Sequence, residues 1–141
     1  MKKVMASGVF DILHLGHIHY LEESRKQGDF LVVVVASDST ASRNGKKILF
    51  SQESRKKMVE SLKVVDEAII GGEGNIFDTI SLVKPDVITL GFDQKFDPEV
   101  IKKEAGKRGL NPEVYRCSPL DSLEPFGTRK IRKKLQEEGA R

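Results

Sequence analysis

The sequence predicts an α/β fold in which five parallel strands form one doubly wound sheet with helices on both faces. Short apolar runs without clean alternation, typical of strands buried on both faces, recur along the chain. Segments with helical patterning separate these runs, which favours parallel strands joined by helical crossovers. The 141 residues are enough for one hydrophobic core, so we expect a single domain over residues 1–141.

Each element of this Rossmann-like arrangement has a local signal. The strands are expected at the β-rich runs 3–7, 30–37, 67–71, 86–91 and 113–117. The helices are expected near 17–27, 52–63, 75–83, 97–108 and 128–138. Ser51 is a candidate N-cap of the second helix, and Asp97 followed by Pro98 predicts the start of the fourth. Gly28 and Gly109 stand where the glycines that end helices are found.

The predicted sheet places its ligand site at one edge. Doubly wound sheets bind ligands outside the carboxyl ends of their strands, near the switch in strand order. The residues that follow the predicted strands are mostly small, glycine-rich or acidic, namely 8–11, 37–38, 71–74, 91–93 and Ser118. The polar stretch 39–47 nearby has few core residues and is expected to be a mobile loop.

Composition excludes several classes of function. The longest apolar run, 30–36, is far shorter than the roughly 20 residues of a membrane helix, so no membrane partner is expected. The single cysteine, Cys117, excludes an internal disulfide and fits a reducing cytoplasm, where we expect the protein to reside. The basic run 129–134 is either a solvated helix face or a phosphate-contacting helix. No basic surface interleaved with aromatic side chains is recognisable, so nucleic acid is not an expected partner.

All three histidines lie within six residues, and two of them belong to the string GVFDILHLGH at 8–17. His14 and His17, three residues apart at a helix start, are expected to face the same side. Gly16 between them lets an anionic group approach the backbone, and the helix N-terminus adds positive partial charge. This set suits a polyphosphate, since phosphoryl-type transfer depends on positioning and charge stabilisation. His19 is expected to be structural, and no third ligand is near enough for a zinc site.

The string GVFDILHLGH resembles the signature of the HxGH nucleotidyltransferase superfamily, in its cytidylyltransferase-like branch. The segments 45–71 and 84–99 resemble the family's lysine-containing loop with the following helix, and its Gly-x-Asp nucleotide-binding segment. The resemblance covers almost the whole chain. It implies transfer of a nucleoside monophosphate from a nucleoside triphosphate to a phosphate-bearing acceptor, with release of pyrophosphate.

Within that superfamily, VKPDVITLGFDQKFD and NPEVYR look most like archaeal FAD synthases, which transfer AMP from ATP to FMN. Glycerol-3-phosphate cytidylyltransferases usually carry a tryptophan or similar residue after the Gly-x-Asp, and this chain has no tryptophan. Three alternatives stay open: CTP with glycerol 3-phosphate, a pantetheine or sugar phosphate as the acceptor, and a nucleotide-binding regulator without catalysis. The resemblance also implies a homodimer.

The resemblance assigns nucleotide binding to the segment after the first strand. The residues concerned are Gly8, Val9, Phe10, Asp11, His14, Leu15, Gly16 and His17. Among them, His14 and His17 would contact the triphosphate and stabilise the pentacoordinate transition state at the α-phosphorus. Asp11 would orient the site or help to hold a Mg²⁺ ion that the triphosphate itself largely coordinates.

Further residues are implied along the chain. Lys47 would reach the triphosphate or the acceptor phosphate, with Lys46 as a rival and a solvated loop lysine as the alternative. Arg55 would act at the start of its helix, with a surface ion pair as the alternative. Gly91 would let the base approach the strand end, and Asp93 would hydrogen-bond the base or ribose.

The C-terminal part departs from the family pattern. Where relatives often have a segment like RTxGISTT, this chain has SLEPFGTRKI at 122–131. Thr128 is the surviving hydroxyl, either as a phosphate-binding helix start with Arg129 supplying charge or as an ordinary helix cap.

Overall fold

The computed structural model describes residues 1–43, 45, 47–73, 76–120 and 133–137. Its strands are β1 (Lys3–Gly8), β2 (Phe30–Val35), β3 (Glu67–Ile70), β4 (Val87–Leu90) and β5 (Glu113–Arg116). Its helices are α1 (Leu15–Arg25), α2 (Asp38–Arg43), α3 (Gln52–Glu60), α4 (Ile76–Val83) and α5 (Pro98–Lys107). The predicted parallel α/β sheet is confirmed, with the strand order β3-β2-β1-β4-β5.

The switch in strand order lies between β1 and β4. From β1 the chain builds outward through β2 to β3, then returns to the other side of β1 to form β4 and β5. Whereas β1 pairs with β2 along its whole length, it pairs with β4 only at Val4–Val87 and Met5–Ile88. The carboxyl ends of the two central strands therefore separate, and they form the crevice in which such sheets bind ligands.

Each face of the sheet carries its own hydrophobic core. On one face Val33 and its neighbours pack with Leu21 of α1 and Val59 of α3. On the other face Val32 and its neighbours pack with Ile80 of α4 and Ile101 of α5. Because helices cover both faces, β2 is buried on both sides, which explains its continuous apolar sequence FLVVVV.

The predicted mobile loop at 39–47 is wrong over its first part, which forms α2. Ser37 initiates this helix, because its hydroxyl accepts a hydrogen bond from the Thr40 N–H (3.2 Å) and its carbonyl accepts one from the Ala41 N–H (3.0 Å). Ala41 is fully buried and anchors the helix. The polar composition of the stretch concealed this single packed position.

The expectation about helix-ending glycines holds for one of the two. Gly109 has φ +76°, and the N–H groups of Gly109 and Leu110 return to the carbonyls of Gly106 (3.0 Å) and Ala105 (2.9 Å) in a Schellman arrangement. Gly28 has no positive φ. A Cβ at this position would lie 2.7 Å from the Lys2 carbonyl oxygen, so Gly28 is required by the close approach to β1.

The other predicted boundaries are close to those observed. Ser51 and Asp97 are N-caps, and Pro98 opens α5 as predicted. Helix α1 begins two residues earlier than the predicted 17, because His14 acts as its N-cap. Across the parts of the chain that the structure describes, every helix is too short or too polar to span a membrane. The last predicted helix falls mainly outside the described residues, although 133–137 is helical.

Candidate active site

Two segments face each other across the crevice between β1 and β4. The first follows β1 and carries His14 and His17 at the start of α1. The second follows β4 and carries Gly91 and Asp93. The Asp93 carboxylate acts electrostatically on His14, and the Gln94 side chain reaches the Ser7 carbonyl at 3.0 Å. The structure therefore brings together the histidine motif and the Gly-x-Asp segment that the sequence singled out.

The two histidines cap α1 reciprocally. His14 is the N-cap, and its Nδ1 accepts a hydrogen bond from the Gly16 N–H at 3.1 Å. The His14 N–H in turn donates to Nδ1 of His17 at 3.4 Å. The two rings are stacked, with their centroids 3.9 Å apart and their planes at 29°. Because each Nδ1 is an acceptor, the proton of each neutral imidazole is placed on Nε2.

The cap also determines what the helix offers to an anion. The N–H groups of Gly16 and His17 are already bonded to His14, through its Nδ1 and its carbonyl (3.0 Å). The positive end of the α1 dipole adds favourable charge at this position. Burial lowers the pKa of His14 below its usual value of 6.5, and the Asp93 carboxylate partly opposes this. Neutral His14 is thus favoured near neutral pH.

Phe10 supports the histidines from beneath. Its ring is buried and meets the His17 ring edge-on, with 5.3 Å between centroids and 61° between planes. Its backbone adopts φ 55°, which is strained for a residue with a bulky side chain. A Cβ on Gly8 would lie 2.9 Å from this ring, so Gly8 makes room for it. Gly8 and Phe10 are therefore required for packing beneath His17, in addition to any contact that they make with a ligand.

Asp11 anchors the segment that leads into α3. Its carboxylate, 5% exposed, accepts the N–H of Leu49 (2.8 and 3.1 Å to its two oxygens) and that of Phe50 (3.0 Å). This use of the carboxylate was not foreseen from the sequence. It places Asp11 where it orients the lysine-bearing loop, since Lys47 lies two residues before Leu49 and its side chain is exposed.

Arg55 is fully buried, which is unusual for an arginine without a ligand. It donates hydrogen bonds to the carbonyls of Val9 (2.8 Å), Ala36 (2.8 Å) and Phe50 (3.0 Å). It also forms an ion pair with Asp38 at 2.7 Å. The guanidinium thus joins the ends of β1 and β2 to the start of α3. This is an ion pair, as the alternative interpretation had it, but only Asp38 reaches the surface, with its side chain 46% exposed, whereas Arg55 is buried.

Gly91 and Asp93 lie in a loop that other side chains hold in place. The Arg116 guanidinium donates to the carbonyls of Gly91 (3.1 Å), Gln94 (2.8 Å) and Phe96 (2.6 Å). A Cβ on Gly91 would make only ordinary contacts, the nearest being an Asp93 oxygen at 3.5 Å. The protein itself therefore does not require glycine here, which fits a position kept open for a ligand.

Sequence reasoning missed three residues that shape the crevice: Gln94, Arg116 and Tyr20. The first two lie within the quoted segments GFDQKFD and NPEVYR, so those segments contained the signal. Tyr20 gives no such signal, since an aromatic residue inside a helix usually indicates core packing. His19 is structural as expected, with its Nε2–H donating to the Ser118 carbonyl at 3.0 Å.

The remaining predicted site residues are only partly described. Leu15 is 55% exposed at the first position of α1. Lys46, Thr128 and Arg129 lie outside the described residues. Within the described ranges, no group of three or more His, Cys, Asp or Glu side chains could hold a metal ion.

A crevice of this kind at the switch point, with paired histidines on one wall and a Gly-x-Asp loop on the other, places the chain among the nucleotidyltransferases. It belongs to the cytidylyltransferase-like family, whose sequence profile matches residues 5–134. A FAD synthase of Picrophilus torridus is 56% identical over 119 residues, covering 84% of this chain and 86% of that protein. A FAD synthase of Thermoplasma volcanium is 53% identical over 137 residues, covering 97% and 96%.

Solved structures agree with this assignment of the fold. A crystal structure described as the lipopolysaccharide core biosynthesis protein from Thermoplasma volcanium GSS1 superposes with a TM-score of 0.84. It is 56% identical in sequence and covers 86% of this chain and 99% of that one. The pantoate-beta-alanine ligase from Francisella tularensis superposes with a TM-score of 0.61 at 14% identity, covering 96% and 70%. This second likeness concerns the fold alone.

Proposed function

We propose that this protein transfers the adenylyl group of ATP to FMN, forming FAD and releasing pyrophosphate. One observation carries the proposal: the stacked pair His14 and His17 lies at the start of α1, across the crevice from Gly91 and Asp93. This arrangement offers charge stabilisation on one wall and a strand end open to a base on the other. The names of the relatives at more than 50% identity support ATP and FMN as the substrates.

The reaction requires no covalent intermediate on the protein. A phosphate oxygen of FMN attacks the α-phosphorus of ATP, and the bond from that phosphorus to the oxygen bridging to the β-phosphate breaks. The electron pair leaves with pyrophosphate, so charge grows on the triphosphate as the reaction proceeds. His14 and His17 donate from Nε2–H to the phosphate oxygens, and the α1 dipole adds to this stabilisation. A Mg²⁺ ion bound to the triphosphate would neutralise part of the same charge.

The other residues orient these groups. Asp11 and Arg55 fix the segment at Leu49 and Phe50, and so position Lys47 for the triphosphate or the acceptor phosphate. The nucleoside is held at Gly91 and Asp93. Thr128 and Arg129 are assigned additional phosphate contacts, on the strength of the family resemblance alone.

A paired turnover assay tests the proposal. One tube contains ATP, FMN and Mg²⁺, and the other contains CTP, glycerol 3-phosphate and Mg²⁺, with pyrophosphate measured and nucleotide products separated by chromatography. We expect FAD in the first tube and no product in the second. A CDP-glycerol product in the second tube alone would overturn the choice of substrates. The absence of product in both tubes would overturn the proposed reaction.

Histidine variants test the assigned roles. His14→Ala and His17→Ala are expected to lose at least about 100-fold in kcat, as when donors to a transition-state oxyanion are removed. His19→Ala is the matched control, since His19 lies on the same helix but bonds the Ser118 carbonyl. Near-normal turnover in either of the first two variants would refute the roles.

Two expectations about the protein as a whole also stand as proposals. The family resemblance supports a homodimer, and light scattering coupled to gel filtration would measure its mass against that of a 15.8 kDa chain. The single cysteine supports residence in the cytoplasm.

A further inference from the structure

The two central strands stop pairing before they reach the crevice. Regular pairing of β1 with β4 ends at Met5–Ile88, although β1 continues to Gly8 and β4 to Leu90. The backbone groups of Ser7 on one side and of Thr89 and Gly91 on the other would face each other in a continuous ladder. Instead, two side chains lie between them and make the hydrogen bonds that the strands do not.

The first of these side chains is Tyr20 of α1. Its hydroxyl accepts the Ser7 N–H at 3.2 Å and donates to the Thr89 carbonyl at 2.8 Å. The hydroxyl is fully buried, and burial raises the pKa of Tyr20 far above its usual value. It therefore stays protonated and remains a donor at every working pH.

The second side chain is Gln94, in the loop that follows β4. Its Oε1 accepts the Gly91 N–H at 2.8 Å, and its Nε2–H donates to the Ser7 carbonyl at 3.0 Å. A carboxamide is the side-chain group that accepts and donates at adjacent atoms, so it spans the gap as a peptide group of a neighbouring strand would. The Gln94 bond to Ser7 ties the loop after β4 to the end of β1.

We propose that Gln94 is a positioning residue that fixes the separation of β1 and β4 at the mouth of the crevice. It thereby holds Gly91 and Asp93 at the correct distance from His14 for a bound nucleotide. This inference rests on the proposed function, because that function places a nucleotide in the crevice. Gln94 itself touches no reacting atom.

Arg116 makes the role of Gln94 separable from folding of the loop. The guanidinium binds three carbonyls of the loop, at Gly91, Gln94 and Phe96, and attaches the loop to β5. Loss of the Gln94 side chain therefore leaves the loop folded on β5. What is lost is its connection to β1, so the loop and the histidines move apart while the fold persists.

Two substitutions distinguish the two hydrogen bonds of the carboxamide, the one from the Gly91 N–H and the one to the Ser7 carbonyl. Gln94→Met removes both hydrogen bonds at nearly constant volume. Gln94→Glu keeps an acceptor for the Gly91 N–H but places a carboxylate oxygen, which cannot donate, against the Ser7 carbonyl. The same two substitutions at Gln27, whose Nε2 bonds the Glu23 carbonyl at the far end of α1, serve as controls.

The experiment measures the dissociation constant of α,β-methylene-ATP with Mg²⁺ by calorimetry at pH 7.5, together with the melting temperature. We expect both Gln94 variants to bind about tenfold more weakly, the net effect of one or two hydrogen bonds, with melting temperatures within a few degrees of the wild type. The Gln27 variants should bind like the wild type. Hydrogen exchange at the Gly91 amide should become faster in Gln94→Met and stay slow in Gln94→Glu.

Two results overturn the inference. If Gln94→Glu binds like the wild type while Gln94→Met does not, Gln94 serves only to hold the Gly91 N–H within the loop. If both variants bind like the wild type, the connection to β1 has no role in binding. A wild-type protein that neither binds the analogue nor makes FAD overturns the proposed function instead, and the inference with it.

Discussion

The substitution Asp11→Asn tests whether the Asp11 carboxylate anchors a loop or binds a metal ion. The carboxylate accepts the N–H groups of Leu49 and Phe50 in a nearly water-free position. Asparagine has the same shape, but only its oxygen accepts, so its NH₂ group must face one of the two N–H donors. One charge-assisted hydrogen bond is lost, which we expect to cost about 1.5–3 kcal/mol. For a chain of 141 residues this lowers the melting temperature by about 5–12 °C.

The assay is a thermal melt of the purified protein in EDTA, followed by the same melt with Mg²⁺. Because the anchor consists of protein atoms alone, the full loss of stability should be present without metal. Asp29→Asn is the control, since the Asp29 carboxylate likewise accepts a backbone N–H, from Lys2 at 2.9 Å, but in an exposed position. Its effect should stay below about 0.5 kcal/mol.

The activity of Asp11→Asn should fall as well, because Lys47 is carried by the loosened segment. An unchanged melting temperature in EDTA, within about 1 °C of the wild type, would refute the anchoring role. A loss of stability that appears only in the presence of Mg²⁺ would assign Asp11 to the metal instead.

Three further predictions follow from packing and protonation. Gly106→Ala should stabilise the protein by about 0.5–1 kcal/mol, since this position is helical and its Cβ would meet no other atom. Gly28→Ala should destabilise the protein by about 1–3 kcal/mol, because its Cβ would clash with the start of β1. Chemical denaturation measures both changes in the free energy of unfolding. The Cys117 thiol, buried and with its pKa raised by burial, should fail to react with a disulfide reagent in the native protein and react fully in denaturant; a rapid native reaction would contradict its burial. Because the pKa of His14 is lowered on folding, the unfolded chain binds that proton more readily, and stability should fall as the pH drops below about 6.5. His14→Asn keeps an N-cap and should weaken this pH dependence in thermal melts between pH 7.5 and 5.5, and an identical pH dependence in the variant would count against the shift.

The strands were predictable because parallel strands buried on both sides leave a simple trace in the sequence. The run FLVVVV contributes to both cores, so each of its residues is apolar. Caps formed by familiar residues were predictable too, as Asp97 with Pro98 shows. The start of α1 was not, because histidine is not among the usual N-cap residues and here both its backbone and its side chain take part.

The sequence singled out residues that the structure brings together at the crevice, but it did not reveal the contacts that Asp11 and Arg55 make. A short polar run such as SQESRKK gives no sign that Arg55 is fully buried, since its long-range partners come from two other parts of the chain, the segments after β1 and β2. The same holds for Asp11, whose acceptor role depends on a segment almost 40 residues away. Long-range hydrogen bonds of this kind have no periodicity, so only the folded structure reveals them.

The proposed reaction transfers an intact adenylyl group to FMN at the crevice between β1 and β4. Its most direct test uses ATP labelled at the α-phosphorus, incubated with FMN, Mg²⁺ and the wild-type protein, with His19→Ala and His14→Ala in parallel. We expect label in FAD, one unlabelled pyrophosphate for each FAD formed, and loss of both products in the His14 variant alone. Label recovered as ADP, or FMN left unchanged while AMP accumulates, would contradict the proposed reaction.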